Sequence, residues 1–148
     1  MGGEYTKAGQ TFSVKELKLA EKKQGIKVQK GDVVLFHTGW TDAMLEKFPE
    51  KWGAEIPGLT PELAQYLADL EVIAVGSDTY GLDVIPPVNP EEPFQGHVIL
   101  LQQNGIYILE AMNTGPLAKD EAFEFLFVLG QAKVRGAVQM YINPIAIR

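Results

Sequence analysis

Apolar positions along this chain change their period several times, and each change marks an element. Ser13-Val-Lys-Glu16 has the spacing of a capping box, with Ser13 as N-cap and Glu16 reaching back to it. Leu17, Leu19 and Ala20 then give a helix its apolar stripe, and Gly25 closes it. Lys30-Gly31-Asp32 reads as a turn into residues 33–38, a β-branched and aromatic run with the character of a buried strand. Gly39-Trp40-Thr41 breaks that strand, and Thr41 is placed to cap a short helix over residues 42–48. Thr60-Pro61-Glu62 combines an N-cap, a proline at the first helical position and a first-turn acid. Leu63, Tyr66, Leu67 and Leu70 supply the apolar face of that helix. Residues 72–75 read as a second strand, ended by Gly76-Ser77-Asp78. Residues 86–93 hold four prolines and two acids and must form a loop.

An apolar run follows His97 until Asn104-Gly105 stops it, since glycine takes the left-handed conformation that ends helices. Residues 106–109 then read as a short buried strand ending in Glu110, and residues 123–129 and 142–147 as two more. Strands alternating with helices imply one α/β or α+β domain over residues 1–148, with a mixed sheet and outer helices. Residues 1–11, rich in glycine and polar side chains, read as a flexible lead-in.

Composition narrows the function classes. With 148 residues, 46% hydrophobic and 22% charged, the chain suits a single soluble globular domain with a real core. Net charge is −6, and the one lysine cluster, Lys15, Lys18, Lys22 and Lys23, is interleaved with Glu16 and Glu21. That pattern is a solvated helix face, so neither nucleic acid nor an anionic membrane is an expected partner. The absence of cysteine excludes disulfides, thiolate metal sites and thiol catalysis. The first residues lack the apolar core of a signal peptide, and no apolar run is long enough to span a bilayer, so a cytoplasmic location is expected.

His97 and Glu110 carry the most chemistry. A helix, a sharp turn and a strand can bring them together across thirteen residues, pairing a neutral nitrogen with an anionic oxygen as a divalent metal requires. The competing reading is an ordinary polar helix residue and a strand-end acid. His37, the only other histidine, shares a strand face with Val33 and Leu35 and reads as a satisfied, partly buried imidazole. Asp78 follows a buried strand, where α/β sheets place functional groups, or else satisfies backbone N–H groups in a turn. Trp40 serves equally as a pocket wall or as core. The chain lacks a nucleophile elbow, a P-loop and a dinucleotide fingerprint, and neither Ser13 nor Ser77 has the surroundings of a triad.

Several blocks in order resemble the metal-dependent cyclase family, which includes the bacterial kynurenine formamidases. Residues 31–40 (Gly-Asp-Val-Val-Leu-Phe-His-Thr-Gly-Trp) look like its GD-x-VL-x-x-TGW block. Pro57-Gly-Leu-Thr60 and residues 72–79 are similar to the next two blocks. Residues 97–110 match H-x-x-LL…NGI-x-I-x-E, while residues 124–127, 133–137 and 144–147 resemble the closing strands. The resemblance runs from about Phe12 to the C-terminus.

The resemblance implies an α/β domain of the swivelling β/β/α type that hydrolyses amide-type bonds, formamide or cyclic amide, with zinc or manganese. It implies that His97 and Glu110 are metal ligands and that Trp40, Asp78 and Met140 line the same pocket. The family's other ligands lie in an N-terminal H-x-G-T-H-x-D-x-P motif, which this sequence lacks, as though it were the C-terminal portion of a longer enzyme. Where the family has TGSPVR, this chain has Val138-Gln-Met-Tyr-Ile-Asn143. Two donors hold zinc weakly, because a catalytic site takes three protein ligands and an open position. The expectation is therefore a formamidase-like hydrolase domain with an incomplete metal site, acting on a small-molecule amide if active. The alternative is a non-catalytic binding or oligomeric structural protein of the same descent. Self-association is expected, and so is a possible separate chain carrying the missing motif.

Overall fold

The computed structural model describes residues 5–148. Three parallel strands form its centre, β2 (Val33–Phe36), β4 (Ala74–Ser77) and β5 (Tyr107–Leu109), in the order β2-β4-β5. A short parallel pair, β1 (Thr11–Phe12) with β3 (Gly58–Leu59), and an antiparallel pair, β6 (Leu126–Val128) with β7 (Ile145–Ile147), stand apart from it. Parallel and antiparallel pairings thus occupy separate sheets of one α/β fold.

Strand alternation divides the core. Val34, Val75 and Ile108 face one way, into a cluster with Leu17 of α1 (Val14–Gln24) and Leu63, Ala64 and Leu67 of α4 (Pro61–Asp69). Val33, Leu35, Ala74 and Leu109 face the other way and meet Phe127, Leu129 and Ile142 at the base of the β6–β7 arm. The central strand β4 is buried along its whole length, as a parallel strand covered on both faces should be. A third cluster gathers Trp40 and Met44 of α2 (Trp40–Met44) with Ile56, Trp52 of α3 (Pro49–Trp52) and Tyr80.

Local capping signals hold. Ser13 accepts from Lys15 N while Glu16 accepts from Ser13 N at 2.9 Å, and Gly25 ends α1 with φ 72°. Thr60 caps α4 through Leu63 N, with Pro61 in its first turn. Two expectations are corrected. In the segment read as a lead-in, Thr6 N donates to Thr38 O at 2.9 Å and Gln10 O accepts from Gly58 N at 3.1 Å. Its first four residues lie outside the described residues. Helix α2 begins at Trp40 behind Gly39, so Thr41 is inside it, where its hydroxyl meets Asp78 O and Trp52 Nε1 instead of capping. Strand β4 starts two residues later than expected and includes Gly76 and Ser77; a Cβ on Gly76 would stand 2.8 Å from Leu35 Cδ2 and 2.9 Å from Leu109 Cβ, so glycine fits between β2 and β5 there. The remaining strands are present but shorter than their apolar runs. Among the described residues no helix is long and apolar enough to cross a membrane.

Candidate functional site

His97 lies between two carboxylates. Its Nδ1 is 2.6 Å from Asp83 Oδ2 and its Nε2 is 3.3 Å from Glu110 Oε1. Glu110 follows the C-terminal end of β5, where α/β sheets place polar chemistry. The chain beyond it is pinned to the end of β4, with Ala111 N donating to Thr79 O at 2.7 Å and Met112 N to Ser77 O at 3.0 Å.

Asp83 comes from a different direction. Leu82 and Val84 are buried, and their backbone passes β3, where Leu59 N donates to Leu82 O at 3.1 Å. Only glycine fits opposite: a Cβ on Gly58 would stand 2.2 Å from Val84 N. The buried Asp83 carboxylate accepts from Gly96 N at 2.7 Å and from His97 N at 3.1 Å as well as meeting the imidazole. Those two N–H groups open the helix α5 (Gln95–His97), which runs on as a π-helical segment, Val98–Gln103. Phe94 precedes it at φ 58° and supplies no side-chain cap, so Asp83 caps this helix from fourteen residues away. Gly96 makes that possible, since a Cβ there would lie 2.5 Å from Asp83 Oδ1.

These contacts set the imidazole's state. With Nδ1–H donated to Asp83, a neutral ring turns its Nε2 lone pair toward Glu110, the arrangement of a metal-binding histidine braced by a carboxylate. Without a metal, the hydrogen bond to Asp83 and then that to Glu110 outweigh burial and push the His97 pKa from 6.5 to about 9. A raised folded pKa stabilises the fold fully below about pH 6.5, and that contribution disappears as pH rises through about 9. NMR titration of the metal-free chain should show the His97 ring deprotonating near pH 9, and a value at or below 6.5 would contradict the double pairing.

The donors present fit part of a metal site. Two ligands at zinc–donor lengths of about 2.0–2.1 Å and a tetrahedral angle stand roughly 3.3 Å apart, and Nε2 and Oε1 have that separation. Asp83 is engaged at Nδ1 and braces the ring without being a third donor. Among the described residues no three His, Cys, Asp or Glu side chains are grouped to hold a metal.

Asp78 is buried and accepts from Thr38 N at 2.7 Å, Thr38 Oγ1 at 2.8 Å and Thr41 N at 3.4 Å, tying the end of β4 to the start of α2. Trp40 is buried beside Met44, Ile56 and Trp52, and donates from Nε1 to Trp52 O at 3.3 Å. Ile56 of that cluster reaches Gly81, whose other neighbour is Glu110 Oε1, so the indole cluster lies behind the site. Met140 is exposed on the loop joining β6 to β7. His37 lies one residue past the end of β2 and is exposed, not partly buried on a strand face as expected, and its Nδ1 meets Thr114 Oγ1 at 2.8 Å. A groove of about 560 Å³ runs along the free edge of β2 and includes His37, while a smaller cavity of about 150 Å³ adjoins Asp83, Pro87, Val88 and Phe94. Asp83 was not anticipated. Its one local signal is a lone acid inside the apolar run Leu82-Asp-Val-Ile85, which if buried must find donors.

An imidazole braced by one carboxylate and facing another, at the ends of parallel strands, defines an α/β domain with its polar chemistry at the strand termini. Residues 4–84, more than half of the chain, match the family model described as "Putative cyclase", and the chain belongs to the cyclase family. No curated protein matches it. Among solved structures it is similar to one described as a novel cyclase, at 26% identity and TM-score 0.85, covering 99% of this chain and 49% of that one. An isatin hydrolase bound to the product analogue thioisatinate is 23% identical with TM-score 0.76, over 93% of this chain and 52% of that one. A "potential metal-dependent hydrolase with cyclase activity" is 20% identical with TM-score 0.65, over 93% of this chain and 58% of that one. The last two likenesses show the fold. The chain spans about half the length of the first two, 49% and 52%.

Proposed function

We propose that this chain is a hydrolase domain of the cyclase family that acts on amide-type bonds, formamide or cyclic amide, with His97 and Glu110 as two donors to zinc or manganese. The observation that carries the reading is the Asp83–His97–Glu110 array, which presents an imidazole nitrogen and a carboxylate oxygen 3.3 Å apart. An isatin hydrolase among the structural neighbours supports the cyclic-amide side of the reading. A divalent metal held there would supply Lewis acidity toward an amide carbonyl and acidify a bound water. This chain's own part is to orient. Asp83 fixes the ring so that Nε2 points outward, Glu110 adds negative charge, and the end of β4 holds Glu110 in place.

Two donors are fewer than the three that a catalytic zinc takes. The reading therefore includes completion of the set by residues outside this sequence, on a separate chain carrying the histidine motif or on a longer one. The lack of a three-donor group among the described residues favours a second reading, a non-catalytic binding or oligomeric member of the family. The test is hydrolysis of N-formylkynurenine and of isatin by the purified chain with zinc or manganese added, with His97→Ala alongside. For the chain alone the expected turnover is barely above background, rising when a chain bearing the H-x-G-T-H-x-D motif is added and not rising with His97→Ala. Stimulation by that chain equal in the wild type and in His97→Ala would remove His97 from the site and favour the non-catalytic reading.

A further inference from the structure

The cavity of about 150 Å³ beside the candidate site has no part in the chemistry described so far. Leu59 and Val84, both buried, line its inner side, and Pro61, Pro87, Val88 and Phe94 line the rest of its apolar wall. An apolar space of that size holds one benzene ring. The space is also preformed. Residues 86–93 contain four prolines, which fix the backbone around it, so a ligand would have little chain to order on entry. Val88 and Phe94 remain 62% and 52% exposed, leaving apolar surface uncovered at its rim. Phe94 is held at φ 58°, a conformation that costs energy in any residue with a Cβ and that gathers at ligand clamps.

Charge selects the occupant. Residues 52–118 carry nine carboxylates and not one lysine or arginine, so the field on this side draws cations. Two of those carboxylates, Asp83 and Glu92, belong to the cavity. Asp83 is committed, since Gly96 N, His97 N and His97 Nδ1 already meet it. Glu92 is exposed, and its Oε2 accepts from Asn89 Nδ2 at 3.2 Å. Its Oε1 makes no hydrogen bond among the described residues and is left for an N–H from outside.

We propose that this cavity binds a monocyclic arylalkylamine, with the ring against Val88, Phe94, Pro61 and Pro87 and the ammonium on Glu92. The site is separate from the two metal donors. It still borders them, because Asp83 belongs to both places and the rings of Phe94 and His97 lie edge-on with centroids 6.1 Å apart.

NMR titration of the metal-free full chain with benzylamine tests this. Saturable shifts are expected at the Val88 methyls and at the Phe94 and His97 rings, with a Kd on the order of millimolar for so small a ligand. Glu92→Gln should weaken binding about threefold, as the loss of one exposed ion pair does. Val88→Trp, which places an indole over the cavity, should abolish it. Both changes are on the surface, and an otherwise unchanged spectrum verifies the fold. Benzoate, the same ring with the opposite charge, should bind roughly tenfold more weakly or not at all. Glu110→Gln should bind benzylamine as the wild type does, which keeps this result apart from the outcome of the hydrolysis test. Shifts that do not saturate would overturn the proposal, and so would equal affinity for benzoate, full binding by Val88→Trp, or no change in Glu92→Gln. Loss of binding in Glu110→Gln would move the amine to the His97–Glu110 pair and overturn it as well.

Discussion

Replacing Asp83 with alanine is expected to destabilise the fold by about 3 kcal/mol, because a buried carboxylate that serves three donors is removed. Gly96 N and His97 N lose their acceptor at the start of a helix that has no other side-chain cap, and the ring loses its partner at Nδ1. Asp83→Asn keeps an acceptor for the backbone but not the charge, and should fall between alanine and wild type. Gly96→Ala reaches the same contact from the other side, since its Cβ would meet Asp83 Oδ1 at 2.5 Å. Urea denaturation of the metal-free chain measures all three. A loss below about 1 kcal/mol for Asp83→Ala would show that helix entry and ring position do not depend on this carboxylate.

Metal affinity is the second large effect. Zinc or manganese should bind this chain weakly and be lost on dialysis, because Nε2 of His97 and Oε1 of Glu110 are two donors and no three are grouped to hold a metal among the described residues. Binding must also displace a proton, since the imidazole remains protonated up to about pH 9 without metal. Affinity should therefore rise about tenfold per pH unit between pH 6.5 and 8, as expected for one released proton. Glu110→Gln removes a charge that holds the proton as well as one that holds the metal, so it should weaken binding and flatten that slope. Calorimetry across this pH range reports both. Stoichiometric metal retained through dialysis would mean that further donors are supplied, and a pH-independent affinity would mean that His97 is not a ligand.

What the chain reveals before folding depends on the distance over which each decision is made. The capping box at Ser13, the N-cap at Thr60 and the stop at Gly25 are settled by neighbours within a few residues, and they hold. The His97–Glu110 pair was legible for a related reason. One helix, one glycine turn and one strand separate the two residues, so their meeting follows from local elements in series. The helix expected from Thr41 failed because the true arrangement is remote: Asp78, thirty-seven residues on, takes the N–H groups and occupies the threonine.

Asp83 repeats that lesson at the site itself. Nothing near it in the sequence says whether it will be buried, because burial of a carboxylate depends on which segments arrive with donors, here the entry of a helix beyond a proline-rich loop. The sequence by itself determined most of the elements and the α/β class, and offered the histidine–glutamate pair as one of two readings, since local propensity and apolar period act between near neighbours. Only the tertiary structure decided the bracing of His97, the packing that lets β4 hold Gly76 and Ser77, and the exposure of the β6–β7 arm. Each of these depends on whether a polar or apolar group finds a partner across the fold, and the chain's own order does not state it.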